Sequence, residues 1–295
     1  MATPRYLFRI SDRRSPGTTD MVWVKSPVSS GSRLARNDNV YAHNNLPERA
    51  AVMLNNHLRW KCGGECYVMS WTNSLLVAVV YGLYRHQVHG TPLSDIRLLI
   101  VDTSKFERGM FFRDLDLMDA YRSADQGPDG LQNMYDLRTV ISDGEFYFGE
   151  YLSVQDVYVR GKCAQTTMRD LMGCGLASFR PEMTNRDPRW AKRVVELRGV
   201  FGGEMPTTET PEVLVRRAIE LARECFWEVR DAWTLPVAAM VLSLVPRRRN
   251  DETMVRVFRN EFTGAFFSRL TTWPSFTRGP LLTPWDVGTW RPMIR

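Results

Sequence analysis

Hydrophobic and polar positions in the first part of the chain change from the period of a strand to that of a helix. Residues 6–10 form an apolar run that predicts a short strand, and turn-forming side chains close it. The polar stretch at 13–45, rich in Ser, Gly, Pro and Asn, predicts a long loop. Residues 47–58 predict a helix, because Pro47 suits a first turn and apolar positions recur at helical spacing.

The middle of the chain continues this mixture of element types. Residues 67–69 predict a strand and 75–84 a helix, with a hydroxyl-rich segment between them. Residues 96–102 are almost continuously apolar, which indicates a strand buried on both faces. The pattern further predicts a helix at 114–121, a turn at 127–130 and strands at 145–152 and 154–159.

Helical spacing dominates the second half. The apolar pattern predicts helices at 184–197, 210–230, 235–244 and 251–270, and the proline-containing segment 282–295 predicts an irregular tail. We find no internal repeat and no low-complexity tract. We therefore expect an α+β domain over 1–178, followed by a mainly helical region over 179–295.

Composition places the chain among globular proteins. Its 295 residues are 44% hydrophobic and 24% charged, which argues against disordered, fibrous and disulfide-stapled classes. The formal net charge is +6, but the only compact basic run is at 247–249 and no nucleic-acid-binding signature accompanies it. Nucleic-acid binding is thus a hypothesis that depends on net charge alone.

The compartment follows from the apolar segments and the cysteines. No signal-peptide core opens the sequence, and the longest apolar windows fall short of the roughly 20 residues that span a bilayer, so we expect a soluble protein without membrane insertion. Five cysteines, an odd number, indicate free thiols in a reducing intracellular compartment. Cys62 and Cys66 could begin a metal site, but a second pair is missing and His57 is isolated in the sequence. We therefore expect structural cysteines and no metal.

Familiar catalytic motifs are missing, and an ordered set of polar residues remains. The sequence contains no GxxxxGK[ST], HExxH or GxSxG motif. Arg9 lies in the first predicted strand (YLFRI), Ser70 and Thr72 lie at the end of a central strand (YVMSWTNSLLVAVVYG), and Glu150 lies in a late strand (FGEYLSVQDVYV).

With these residues in this order, the sequence resembles the ADP-ribosyltransferase superfamily of the Arg, Ser-Thr-Ser, Glu type. The segments SWTNSLLVA and LLIVDTS make it similar in particular to fungal ADP-ribosyltransferase-like domains of unknown function. The resemblance covers about residues 4–160. It implies an α+β fold with a split, mixed or antiparallel sheet and a cleft that binds NAD as the substrate.

The resemblance also implies a role for each position. Glu150 would stabilise the positive charge that develops on the ribose when the nicotinamide bond breaks. Arg9 would pair with phosphate or ribose oxygens, while Ser70 and Thr72 would brace the cleft and hydrogen-bond the glutamate or the ribose. The implied function is NAD-dependent ADP-ribosyl transfer to an acceptor such as a protein, or NAD hydrolysis.

Each matched residue also has a purely structural interpretation, and two departures from the family pattern favour a second function. Trp71 stands between the hydroxyls, although its indole is expected on the opposite face of the strand, and Phe148 replaces an acceptor-activating Glu or Gln, which argues against arginine modification. The alternative is a catalytically silent module that binds proteins or forms part of an assembly. Ser74 is a typical helix N-cap, and residues 143–145 offer an alternative acidic pair.

Overall fold

A computed structural model describes residues 3–31, 47–62, 66–154, 156–203 and 206–262. The strands are β1 Tyr6–Ser11, β2 Thr18–Thr19, β3 Trp23–Lys25, β4 Val68–Thr72, β5 Arg97–Asp102, β6 Phe112–Arg113, β7 Glu150–Val154, β8 Val157–Tyr158 and β9 Cys163–Thr167. The helices are α1 Pro27–Gly31, α2 Pro47–Leu58, α3 Leu75–His89, α4 Asp114–Tyr121, α5 Leu131–Thr139, α6 Met168–Gly173, α7 Trp190–Arg198, α8 Glu212–Cys225, α9 Arg230–Leu242 and α10 Glu252–Glu261. The expected α+β class is confirmed.

The strands form two sheets. Six strands pair in the order β6-β7-β4-β1-β5-β9, and three pair in the order β2-β3-β8. The pairs β1·β4, β1·β5, β4·β7 and β6·β7 of the larger sheet and both pairs of the smaller one are antiparallel. The chain divides into two compact units, one of residues 1–78 and 95–165 and another of 79–94 and 166–295.

Apolar side chains cover both faces of the larger sheet within the first unit. On one face, Val68 and Leu152 pack with apolar residues from α2, α4 and α5, including Leu54, Met118 and Leu131. On the other face, residues of β1, β4, β5 and β7 pack with the smaller sheet and the segment before β6, and the buried members of this cluster are Leu7, Val24, Met69, Trp71, Leu99, Val101, Phe111, Tyr151, Val157, Val159 and Cys163. The central strands therefore lie between a helical layer and the smaller sheet.

A shared carboxylate fixes the start of α5 against α2. The buried side chain of Asn55 donates to the Asp125 carboxylate at 3.1 Å and to the Asp129 carbonyl at 2.8 Å. The same carboxylate accepts from the Leu131 amide at 3.0 Å, which satisfies one of the open N–H groups of a helix start. The turn at 127–130 was expected, whereas α5 was not.

The second unit is mainly helical within its described residues. One face of α8 is buried, as its helical spacing predicts, with Val215, Ile219 and Ala222 among its buried residues. Asp251 caps α10 by accepting from the Met254 amide at 2.9 Å, and its other oxygen accepts from the Thr210 amide at 2.8 Å. No helix in the described ranges is long and apolar enough to cross a membrane.

Several elements differ from the sequence predictions. The stretch expected to be a loop at 13–45 contains β2, β3 and α1, while 32–46 lies outside the described residues. The late strand begins at Glu150 rather than 145, because Gly149 has φ +64° and interrupts the extended backbone. The helix expected at 251–270 is α10, Glu252–Glu261, within the described residues, while 263–270 and the tail at 282–295 lie outside them.

The bend before β7 generates a testable prediction. An added Cβ at Gly149 would meet the Asn73 side-chain oxygen, and the positive φ is itself unfavourable for a side chain. Gly149→Ala should lower the free energy of unfolding by about 1–2 kcal/mol for the backbone alone and by more with the Asn73 contact, as measured by urea denaturation.

Gly161→Ala is the matched control for this prediction, because Gly161 has φ +72° and, apart from its chain neighbours, no atom of the described residues lies within 4 Å of its added Cβ. The double variant Asn73→Ala, Gly149→Ala should recover toward the Gly161→Ala value. If Gly149→Ala and Gly161→Ala lower the free energy of unfolding equally, the Asn73 contact has no energetic effect.

Candidate functional site

Three of the four predicted site residues share one face of the sheet. In the antiparallel pair β4·β7, Thr72 lies opposite Glu150 and Ser70 lies opposite Leu152. Directly opposed residues, and residues two apart on a strand, point to the same face. The register therefore places Ser70, Thr72 and Glu150 on the face that α2, α4 and α5 cover.

Trp71 points to the other face, as expected. Its side chain is 2% exposed, its indole N–H donates to the Ser153 hydroxyl at 2.8 Å, and its ring meets Phe111 edge-on with centroids 5.4 Å apart. The indole therefore belongs to the core and does not stand between the Ser70 and Thr72 hydroxyls.

The end of β4 is tied to the start of β7 by hydrogen bonds. The Thr72 hydroxyl donates to the Phe148 carbonyl at 2.8 Å and accepts from the Ser74 amide at 3.1 Å, while the Asn73 amide donates to the Gly149 carbonyl at 3.0 Å. The Ser74 hydroxyl accepts from the Val77 amide at 3.3 Å, so the predicted N-cap of α3 is confirmed. Thr72 thus fixes the turn that positions Glu150.

Glu150 belongs to a buried ionic cluster with two residues that the sequence interpretation did not select. Arg138 of α5 lies 2.8 Å from the Glu150 carboxylate through one Nη atom, and its other Nη contacts the carboxylate of Asp114 at the start of α4. The exposed fractions of the side chains are 18% for Glu150, 11% for Arg138 and 0% for Asp114. Glu150 is therefore the most accessible member of the cluster.

Burial and pairing act in opposite directions on this cluster. Burial raises the pKa of Asp114 to about 6, although Arg138 opposes that shift. Burial also disfavours the charge of Arg138, but the carboxylates of Glu150 and Asp114 outweigh it and hold the pKa of Arg138 above its ordinary value. The Asp114 Oδ1 atom is buried without a hydrogen-bond partner among the described residues.

A second polar cluster surrounds Ser70. Its hydroxyl lies 2.7 Å from Nε2 of His57, in the last turn of α2, and Nδ1 of the same ring lies 3.0 Å from the Cys66 sulfur. Cys62 also lies beside Cys66, and the hydrogen bond with Cys62 together with burial raises the pKa of the Cys66 thiol. Sequence spacing gave no reason to join His57 to the cysteines, whereas the packing of α2 on β4 brings them together.

Arg9 projects from the face of the sheet opposite to that of the other predicted site residues, although it contacts the backbone of Ser70. Phe8 pairs with Thr72, and successive side chains on a strand point to opposite faces. The side chain of Arg9 therefore projects from the same face of the sheet as Trp71. Its guanidinium donates from Nη1 to the Ser70 backbone carbonyl at 2.9 Å and from Nε to the Thr19 hydroxyl at 3.1 Å. Phe8 and Thr72 are the paired residues of β1 and β4, so the neighbouring Arg9 lies close enough to β4 to contact its backbone.

The alternative acidic pair lies before the strand. Asp143 is in a 3₁₀ turn with φ +52°, Glu145 follows that turn, and both side chains are exposed. The structure therefore groups Ser70, Thr72 and Glu150 with His57, Arg138 and Asp114. Arg9 lies on the opposite face of the sheet, and the alternative pair lies before β7. The acidic residue at the start of a predicted helix could have pointed to Asp114 from the sequence. Arg138 could be selected only once α5 was known.

Comparison with known proteins identifies a similarity to a family model. Residues 2–136 match the family model of a domain of unknown function (DUF7587). That range includes Arg9, Ser70 and Thr72 and ends before Arg138 and Glu150. No curated protein and no solved structure matches the chain.

The ionic cluster predicts a large, pH-dependent cost for removing its cation. Arg138→Met leaves a buried Asp114 carboxylate without its partner and should lower the free energy of unfolding at pH 7 by about 3–5 kcal/mol. Arg216→Met is the control, because Arg216 pairs with Glu212 on the surface and should cost about 1 kcal/mol or less.

The sign of the pH dependence follows from the pKa of Asp114. A carboxyl whose folded pKa exceeds its unfolded value of about 3.9 binds more protons when folded, so its contribution to stability falls as the pH rises. Removing Arg138 raises that folded pKa further. The cost of Arg138→Met should therefore be smaller near pH 4 than at pH 7 in denaturant titrations, and a cost that does not change with pH would contradict a buried charge.

Proposed function

We propose that this chain binds NAD at the end of β4 and the start of β7 and cleaves the nicotinamide glycosidic bond, transferring ADP-ribose to an acceptor or to water. The observation that carries the proposal is the register of β4 and β7, which places the Thr72 and Ser70 side chains on the same face as the Glu150 carboxylate. The fold would be of the ADP-ribosyltransferase type, in which hydroxyls and a glutamate line one cleft. The order of these residues in the sequence supports the same interpretation.

The ionic cluster supports a reactive role for Glu150. Loss of nicotinamide develops positive charge on the ribose, and a carboxylate stabilises it only if its own charge is not fully neutralised. Two carboxylates share the single guanidinium of Arg138, so the cluster carries a net negative charge when Asp114 is ionised. The Asp114 carboxylate offsets the positive charge of Arg138 from the buried side. The negative charge of Glu150, the more accessible acid, is then available to stabilise the ribose cation.

The remaining residues take positioning roles in this proposal. Thr72 holds the Phe148 carbonyl and thereby fixes the bend before Glu150, while Ser70 presents a hydroxyl whose orientation His57 controls. Arg9 holds the Ser70 backbone through its guanidinium, so we assign it to supporting β4 as well as to the expected contact with the dinucleotide. Phe148 provides no acidic group for an acceptor, which favours NAD hydrolysis or an acceptor other than arginine.

A specific observation favours a second candidate, a catalytically silent module for protein binding or assembly. Each predicted site residue already has an intramolecular partner: Glu150 pairs with Arg138, Ser70 contacts His57, Thr72 binds the Phe148 carbonyl and Arg9 binds the Ser70 carbonyl. A ligand would have to displace or share these contacts. In the silent module they would serve stability alone.

Nicotinamide release from NAD tests the proposal. The full chain is incubated with NAD, free nicotinamide is followed by chromatography, and NAD binding is followed as a rise in melting temperature. Glu150→Gln keeps the shape of the side chain and removes its charge, so the rate should fall about 10²–10³-fold while NAD binding persists. Glu145→Gln is the matched control, because it removes a nearby exposed acid that lies before β7.

The outcomes separate the candidates. Loss of turnover in Glu145→Gln with turnover retained in Glu150→Gln would move the reactive acid to the alternative pair. No turnover and no thermal shift with the unaltered chain would overturn the enzyme proposal and favour the silent module. A melting temperature of Glu150→Gln close to that of the unaltered chain would show that lost turnover does not arise from unfolding.

A further inference from the structure

His57, Cys62 and Cys66 form a group of donor atoms in which the proposed function uses only His57, to orient Ser70, and gives the two thiols no role. A nitrogen of the imidazole and the two sulfurs lie within 4.8 Å of one another. His57 lies in the last turn of α2 and Cys66 precedes β4, so the group lies where the helical layer meets the sheet. Its chemistry can be assessed separately from that of Glu150.

The donor set matches a soft divalent cation. Two thiolates and one imidazole are ligands that favour Zn²⁺ over Mg²⁺ or Ca²⁺, and two cysteines with one histidine occur in zinc sites that keep a fourth position open. Zinc bonds of about 2.0–2.3 Å place tetrahedral ligand atoms roughly 3.5–3.8 Å apart. The Nδ1 of His57 and the sulfur of Cys66 are 3.0 Å apart, so small side-chain movements would bring both to that spacing.

The second nitrogen of His57 strengthens the case. A histidine that ligates a metal through one ring nitrogen usually donates from the other to an oxygen, which fixes its tautomer and its orientation. Nε2 of His57 lies 2.7 Å from the Ser70 hydroxyl while Nδ1 points at Cys66, and this is the arrangement that such a ligand requires.

Another close pair of cysteines in the chain provides a comparison. Cys174 and Cys225 are hydrogen-bonded to each other, but the groups that act on them are carboxylates and no histidine belongs to that pair. Within the described residues, the three-membered donor group is therefore confined to the end of α2 and the start of β4.

We propose that His57 (through Nδ1), Cys62 and Cys66 bind one Zn²⁺ ion, with Ser70 orienting the imidazole and solvent in the fourth position. The ion would join the end of α2 to the start of β4 and would hold Ser70 in place. This site does not depend on NAD binding or on Glu150, so the zinc proposal can be tested independently of the proposed function.

Metal content tests the proposal directly. The full chain, without an affinity tag and kept reduced, is dialysed against Zn²⁺ and then against metal-free buffer, and zinc is measured by plasma mass spectrometry. We expect about one equivalent per chain. His57→Gln, Cys62→Ser and Cys66→Ser should each lose it, while the double variant Cys174→Ser, Cys225→Ser should retain it as the matched control.

Cobalt substitution and Ser70→Ala keep the test independent of folding defects. The unaltered chain loaded with Co²⁺ should show a sulfur-to-cobalt charge-transfer band and the strong visible bands of four-coordinate cobalt. Ser70→Ala removes no ligand and should weaken zinc affinity about 10–100-fold, with one equivalent still bound at saturation.

Three results would overturn the zinc site. The first is zinc content no higher than a protein without such a group, combined with no cobalt charge-transfer band in the reduced chain. The second is undiminished zinc in all three ligand variants. The third is a mass shift that reveals a Cys62–Cys66 disulfide in freshly purified protein and, after its reduction, no metal uptake.

Discussion

The arrangement around the start of β7 depends on the buried guanidinium of Arg138. It joins α5 to the first residue of α4 through Asp114 and to the first residue of β7 through Glu150. A fully buried aspartate without a counter-charge would cost several kcal/mol, so the cation and the two acids have to be placed together. This constraint fixes the start of α4 and the last turn of α5 against the start of β7.

The two faces of β4 and β7 have different roles. On the helix-covered face, α2 brings His57 to Ser70, whereas α4 and α5 supply the charged partners of Glu150. The helical layer therefore supports the candidate site, and it also occupies the side chains that a ligand would need. On the opposite face Trp71 is part of the core rather than an obstacle between two hydroxyls, and Arg9 donates to the Ser70 backbone carbonyl of β4.

Local signals in the sequence were sufficient for several elements. The period of apolar positions predicted α4 and the buried strand β5, and Ser74 before an apolar run predicted the N-cap of α3, because capping and amphipathic burial depend on neighbours in the chain. Strand alternation also placed Trp71 on the face opposite the hydroxyls.

Which distant residues meet follows from tertiary packing alone. Helix α5 is as weakly amphipathic as α4 but more polar, and neither it nor Arg138 was predicted. The pairing of Arg138 with Asp114 and Glu150 joins stretches of sequence that no local rule connects. His57 is isolated along the sequence because residue spacing says nothing about the packing of α2 on β4. Side-chain clusters of this kind arise from register and helix packing, which depend on long-range burial rather than on local propensity.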